Sequence, residues 1–483
     1  MVTLCCDAGE TEMIRRLFAI GAFMLVSVSA WSSDDVDKFG LPVKVLPTLS
    51  NSTYQMPHVG LRLESDCVPI PMASSSHDGT ETELVSVDLG PKCALLALDG
   101  GGIRGYIEAL ILNSMELKFK QILAQRGLGD AKLIEAFDLV VGTSAGAIAA
   151  GCLTVPSTDN PKKPRHDVAA LLAFFEGSER DAGGEPTFEG SKASSMFTRT
   201  WTQCFFSLFG LLDEKYSTQP LSKALKSYGL KDAFLTQACV PTAMVTSEIT
   251  DTEPGCQPVY LRSYDKDGPL SNMSMRAATL CSGAAPTYFE RVCVLDANDE
   301  PRYFVDGGLT GANNPGPVAE AEAIKVLPHL LDGDKSNMFL VSVGTGVAKV
   351  MLDGERAANW GLAAWVRPVI DLSLALPTLT NDMNLRARFG DYTPGQSKGY
   401  IRLTPPLAHE SPLDDARPAA MQMLRRTALQ YIADNQDTIH ATAEQLVLRY
   451  IAKQAADAPG KKEVRRAFRA EREQGHQSQL FAG

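Results

Sequence analysis

Three short segments carry residue types that can do acyl-transfer chemistry. Gly142-Thr143-Ser144-Ala145-Gly146 follows the apolar run Phe137–Val141 and opens a second apolar run, Ala145–Leu153. A Gly-x-Ser-x-Gly at a strand-to-helix turn is the setting of a nucleophile elbow, which lifts the serine hydroxyl clear of the backbone. The flanking glycines permit the tight turn, because a Cβ there would clash. A helix beginning just after Ser144 also favours the negative charge that develops during attack on a carbonyl.

The second segment is Asp99-Gly100-Gly101-Gly102-Ile103-Arg104-Gly105, at the end of the apolar run Cys93–Leu98. Consecutive glycines can turn several N–H groups toward one point, a nest that binds an anion. In acyl transfer the anion is the tetrahedral oxyanion, and one such donor is worth roughly 3 kcal/mol of barrier. Arg104 adds positive charge beside the loop. Gly100, Gly102 and Gly105 also satisfy the dinucleotide pattern Gly-x-Gly-x-x-Gly. That pattern wants an acidic residue ending a second strand about 20 positions on. Here that stretch is still helical in pattern, and the next strand ends in Gly-Thr-Ser, which makes nucleotide binding the weaker alternative.

The third segment is Asp306-Gly307-Gly308, after the strand-like Tyr303–Val305. An aspartate at a strand end can take the proton of a serine hydroxyl across a short hydrogen bond. Alone, an Asp-Gly pair is as readily a turn.

With these three segments in this order, the chain resembles the patatin-like phospholipase family. That family's Asp-Gly-Gly-Gly-x-Arg/Lys-Gly loop stands at Asp99–Gly105, its serine elbow at Gly142–Gly146 and its Asp-Gly-Gly at Asp306–Gly308. Ala284-Ala285-Pro286-Thr287-Tyr288-Phe289, Asn313-Asn314-Pro315 and Ser342-Val343-Gly344-Thr345-Gly346 are similar to further family segments. So are Lys215-Tyr216-Ser217 to Leu225 and Tyr400-Ile401-Arg402-Leu403. The resemblance covers residues 93–450.

The resemblance implies a phospholipase A-type acyl hydrolase working through a dyad of Ser144 and Asp306. It implies oxyanion donors at the N–H groups of Gly100, Gly101 and Gly102, with Arg104 supporting the loop. Asp99, Gly105, Gly142, Gly146, Gly307 and Gly308 then shape the motifs. It implies no metal and no cofactor. The substrate is expected to be an acyl lipid, a phospholipid at a membrane or micelle surface. Acyl transfer by the same acyl-enzyme is one alternative, and a non-catalytic lipid- or nucleotide-binding module another. A histidine-based triad would have to draw on His329, His409, His440 or His476, the histidines after Asp306; none has a supporting motif, and none is expected to be catalytic.

Positioning such groups needs strands that alternate with helices. Cys93–Leu98, Phe137–Val141, Val240–Thr246 and Met338–Val343 read as strands, short apolar runs bounded by turn signals. Ile107–Ile122 has Leu110, Ile111, Met115 and Phe119 at helical spacing, and Ala419–Tyr431 and Ala441–Tyr450 read as further helices. This alternation predicts a three-layer α/β/α fold with a mainly parallel central sheet and helices on both faces. No internal repeat interrupts it, so one catalytic domain over 93–450 is expected.

The flanks differ. Arg15 and Arg16 precede the apolar run Leu17–Ala30, too short to span a bilayer, and Val28-Ser29-Ala30 offers a small-residue cleavage site. Residues 1–30 are therefore expected to be a signal peptide, with Met13 a candidate true start and a loose twin-arginine likeness at Arg15–Phe18. Export to the periplasm or outside follows as an expectation, with peripheral membrane contact. Residues 31–92 read as a linker, and 451–483 as a charged helix or tail with six Lys or Arg from Lys461 to Arg472. The apolar run Phe205–Leu212 is a candidate acyl-binding lip.

Composition agrees with a soluble catalyst: of 483 residues 45% are hydrophobic and 21% charged, enough for a sizeable core. A formal charge of −11 excludes a general nucleic-acid binder, which needs clustered Lys and Arg. The ten cysteines include no Cys-x-x-Cys pair, so zinc and thioredoxin-type chemistry lack support, and those in apolar runs are expected to be reduced and buried.

Overall fold

Successive residues of the strand Cys93–Leu98 (β1) leave it on opposite sides, and both sides are buried. Ala94, Leu96 and Leu98 join one apolar cluster; Cys93, Leu95 and Ala97 join another. A strand covered on both faces reads as a continuous apolar run, and that is why CALLAL is legible as one.

In this computed structural model the described residues are 90–176, 218–253, 255–286, 288–348, 362–390, 392–408 and 411–457. They fall within one unit, Leu84–Gly483. The proposed leader, most of the linker, Phe205–Leu212, Lys215–Ser217, Thr287, His409, His476 and Lys461–Arg472 lie outside the described residues.

After β1 the elements are α1 (Gly105–Gln125), β2 (Leu139–Thr143), α2 (Ala145–Thr154), α3 (Val168–Glu176), α4 (Gln219–Ser227), β3 (Thr242–Ile249) and β4 (Cys256–Arg262). Then come α5 (Met275–Gly283), β5 (Val292–Leu295), β6 (Pro301–Asp306), α6 (Gly316–Val326), α7 (Pro328–Leu331), β7 (Met338–Val343) and β8 (Val347–Ala348). The chain continues with α8 (Leu362–Phe389), β9 (Gly399–Leu403), β10 (Pro406–Leu407), α9 (Pro418–Asp434) and α10 (Gln436–Asp457).

The main sheet has the order β5-β6-β3-β2-β1-β7-β9, with β4 also on β3. β3, β2, β1, β7 and β9 are parallel. β4, β5 and β6 form an antiparallel edge. Helices α1, α2, α3, α5, α9 and α10 supply the cluster on one face, and α6 and α8 that on the other. This is a three-layer α/β/α architecture.

One detail of register organises the molecule. β4 occupies one edge of β3 from Ala243 to Ile249. β2 and β6 must therefore share the other edge. β2 takes Thr242–Val245 in parallel, and β6 takes Thr246–Ile249 in antiparallel. The two strands thus run toward each other and meet end to end, C-terminus to C-terminus.

Helix α10 passes residue 450 without a break and runs to Asp457. Its Arg449 makes a two-pronged pair with buried Asp138 at 2.7 and 2.8 Å, and the same carboxylate accepts the Ala94 N–H at 2.8 Å. Helix α10 is thereby bound to the start of β1.

Candidate active site

The catalytic candidates lie at the C-terminal ends of β1 and β2, where strand order turns outward from β1 toward β2 on one side and β7 on the other. In open α/β sheets this switch point is where ligands bind.

Ser144 sits between β2 and α2 with φ 53° and ψ −116°. A non-glycine residue held in this region stores strain, of order 1–3 kcal/mol. The glycines on either side make the turn sterically possible. A Cβ on Gly142 would lie 2.3 Å from the Gly146 carbonyl oxygen, and one on Gly146 would lie 2.1 Å from that of Leu98. The elbow thus presses directly on the end of β1. From Leu139 to Thr154, Ser144 is the one residue that is not buried. Its N–H donates to the Ser282 hydroxyl at 2.9 Å, and Ser282 donates to the Val245 carbonyl at 2.5 Å. α5 therefore braces the strained turn against β3.

Asp306 arrives at the same place from the opposite direction, at the end of β6. Its N–H donates to the Ala284 carbonyl at 2.9 Å. Its carboxylate accepts the Gly308 N–H at 2.7 Å. Burial pushes its pKa up to about 6, and the hydrogen bonds from Ser144 and Gly308 pull against that rise. Near neutral pH it is an ionised carboxylate in an apolar setting, suited to accept a proton. Gly307 packs against the Val245 carbonyl and Gly308 against Leu374, so the turn after Asp306 has no room for larger residues.

The glycine loop forms the opposite wall. Gly101, Gly102, Ser144 and Asp306 line one cavity of about 100 Å³ together with apolar groups that include Ile148, Phe175, Phe289 and Leu374. Gly102 has φ +56°, and a Cβ on it would lie 2.2 Å from the Leu413 carbonyl oxygen. The conformation and the close approach both require glycine. Gly105 begins α1 under the ring of Phe175. Arg104 folds back on the loop, its Nε donating to the Gly101 carbonyl at 3.4 Å.

Gly100 is held on both sides. Its N–H donates to the Asn313 carbonyl at 3.0 Å, and its own carbonyl accepts the Thr345 hydroxyl at 2.8 Å. Gly100 braces the loop, and Gly101 and Gly102 line the cavity. Asp99 is paired with Arg402, whose side chain is as buried as its own. One contact is at 2.7 Å, and Arg402 also donates to Ser342 at 2.7 Å. The first acidic residue of the motif is therefore a buried anchor linking the loop to β9.

Residues 96–319 match the family model Patatin-like phospholipase. This stretch is a patatin-like domain. Patatin-like protein 2 of Arabidopsis thaliana is 26% identical over 331 residues, spanning 65% of this chain and 76% of that protein. Patatin-like protein 1 of Oryza sativa subsp. indica is 28% identical over 332 residues, spanning 63% and 73%. Human GIVD cytosolic phospholipase A2 superposes over 75% of this chain and 61% of that chain, with 11% identity and a TM-score of 0.36.

Within the patatin-like domain, the segment Ala284–Phe289 takes on a role. Ala284 anchors Asp306, and Ala285, Pro286, Tyr288 and Phe289 line the cavity. Asn313 and Thr345 sit in segments noted for their likeness to the family, but their hold on Gly100 was not foreseen. Ser282 gave no signal: a lone serine in a helix is too common. No histidine lines the cavity among the described residues. His166 bonds the Tyr228 carbonyl, and His440 lies beside Glu444 on α10. Among the described residues, Cys93 and Cys152 are buried free thiols whose pKa burial pushes up to about 12.

Proposed function

We propose that this chain is a lipid acyl hydrolase of the phospholipase A type that works through Ser144 and Asp306. The observation that supports this reading is the end-to-end approach of β2 and β6, which brings Ser144 and Asp306 to the lining of one apolar cavity.

The chemistry follows from that approach. As Ser144 Oγ attacks the ester carbonyl, its proton passes to Asp306. The carbonyl electron pair becomes an oxyanion, which the Gly101 and Gly102 N–H groups and the N-terminus of α2 stabilise. The oxyanion collapses, the alcohol leaves with the proton from Asp306, and an acyl-Ser144 ester remains. Water, deprotonated by Asp306, then attacks that ester; the second oxyanion collapses, the fatty acid leaves, and Asp306 returns the proton to Ser144 Oγ. The apolar lining suits an acyl chain, whose transfer from water contributes roughly 0.8 kcal/mol per CH₂.

The test is labelling with a fluorophosphonate followed by mass-spectrometric product analysis on mixed phospholipids, for wild type and Ser144→Ala. Wild type should be labelled and release free fatty acid; Ser144→Ala should do neither. Labelling without fatty-acid release, with acyl glycerol formed when glycerol is added, would show an acyltransferase instead. Lipid binding without labelling would show a non-catalytic module.

A further inference from the structure

One part of the cavity lining meets solvent and another part is sealed. Leu309 is 44% exposed, and Tyr288 and Leu374 are half-buried. Ile103, Phe175 and Leu221 are buried, at 1%, 1% and 5%. Phe175 brings an aromatic ring to the sealed part, close to the turn that carries the serine. A Cβ on Gly105 would lie 2.7 Å from Phe175 Cζ and 3.1 Å from the Ala145 Cβ. Ala145 directly follows Ser144. Any side chain at position 105 would push the ring away, so this glycine sets how close the ring comes.

The ring is held there. Phe174 meets it edge to face, with centroids 5.6 Å apart. The next residue, Glu176, accepts from the Tyr106 hydroxyl at 2.7 Å and from Arg425 at 3.1 Å. These contacts tie the end of α3 to α1 and α9, and Phe175 stands as a fixed wall.

We propose that Phe175 sets how many carbons of an acyl chain this site takes, ending the useful length at about six. This rests on the acyl-hydrolase reading of the cavity. The cavity is about 100 Å³, whereas a dry apolar cavity of about 150 Å³ takes a benzene ring. It therefore holds a short stretch of chain beside Ser144, and carbons beyond that stretch gain nothing from it. Each methylene moved from water into apolar surroundings is worth about fourfold in kcat/KM. Removing the ring makes room for roughly two further methylenes, or about sixteenfold. The substrates favoured are esters of short and medium acyl chains, with longer chains accepted by leaving their ends outside the cavity.

The test is kcat/KM on the soluble nitrophenyl esters of hexanoic and decanoic acid, measured on the full chain for wild type, Phe175→Ala, Phe175→Leu and Phe119→Leu. Phe119 is buried on α1 and does not line the cavity, so its variant controls for a lost core ring. The decanoate-to-hexanoate ratio should lie within threefold of one in wild type and rise at least tenfold in Phe175→Ala. It should rise about fourfold in Phe175→Leu and stay within twofold of wild type in Phe119→Leu. Thermal melting establishes that each protein is folded, and Phe175→Leu decides the matter if Phe175→Ala does not fold. An unchanged ratio in the folded Phe175 variants overturns the proposal. So does an equal rise in Phe119→Leu, or a wild-type ratio above tenfold. A wild type that hydrolyses neither ester counts against the catalytic reading instead. Calorimetric titration with hexanoic and decanoic acid then gives the same ratio from Kd, and that ratio decides the length limit by itself.

Discussion

Thr143 and Asp306 occupy consecutive rungs on one edge of β3, opposite Val245 and Thr246. A parallel strand rising and an antiparallel strand descending bring their C-terminal ends together, and the next residue of the rising strand is Ser144. The Thr246 hydroxyl fastens the junction, donating to the Val305 carbonyl at 2.8 Å and the Cys281 carbonyl at 3.0 Å.

Removing either member of this pair should abolish turnover while leaving the fold intact. Ser144→Ala and Asp306→Asn should each lower kcat at least 10³-fold. Asp306 is buried and its folded pKa is raised, so the ionised form opposes folding. Asp306→Asn should therefore stabilise the protein at pH 7, by up to roughly 3 kcal/mol. Urea unfolding of the two variants beside wild type measures this, and a destabilised Asp306→Asn would contradict it.

With Asp306 as the proposed base, the same group should set the acid limb of activity. With a pKa of about 6, Asp306 is a competent base above that pH and is protonated below it. For a soluble ester, kcat/KM should rise with pH through about 6 and lie roughly tenfold under its plateau at pH 5. The stability contribution runs the opposite way, greatest below the ordinary carboxylate pKa of 3.8 and lost as pH rises through about 6. An acid limb centred near 4 would mean that the base is an ordinary exposed carboxylate.

Arg402 should matter for stability more than its distance in sequence suggests. Arg402→Met leaves the Asp99 carboxylate buried without its partner, a change that costs about 3–5 kcal/mol. The double variant Asp99→Asn/Arg402→Met should recover most of that loss, because it leaves no buried charge. A denaturant series on the single and double variants measures the recovery; additive losses would show that the pair is not coupled.

Glu108 gives a pH prediction for stability. It is fully buried on the first turn of α1, and burial, with the nearby Asp99 carboxylate, pushes its pKa well above the ordinary range. A raised folded pKa means that its stability contribution is intact at low pH and is lost as pH climbs through the folded value. As pH rises above the ordinary carboxylate value of 4.5, wild type should therefore lose melting temperature more steeply than Glu108→Gln. Parallel curves would show that Glu108 does not titrate in that window.

Much of the site was legible because its motifs report backbone geometry. The glycines of the elbow and the loop mark places where a Cβ would strike a carbonyl, and such places have few alternative residues. β1 and β7 were legible for a related reason, since burial on both faces leaves continuous apolar runs. The antiparallel edge was less so: β5 alternates half-buried and exposed residues and β4 is exposed over its first half. Helix α8 was missed because Pro368 and Pro377 interrupt its sequence and its apolar residues fall on two faces, which blurs the helical period. The bond that holds the Gly100 N–H was not legible, because three adjacent glycines look alike in sequence and only the fold shows which N–H is taken.

The Leu413 carbonyl accepts the Ile103 N–H at 2.8 Å, while Thr345 and Arg402 hold Gly100 and Asp99. All three lie beyond residue 319, where the family match ends. A shortened gene product confined to 96–319 would carry the serine, the aspartate and their three motifs, yet it would lack two strands of the parallel sheet and the clamps on its glycine-rich turn. The smallest unit that keeps this loop in place is set by where the loop is held, not by where the family likeness stops.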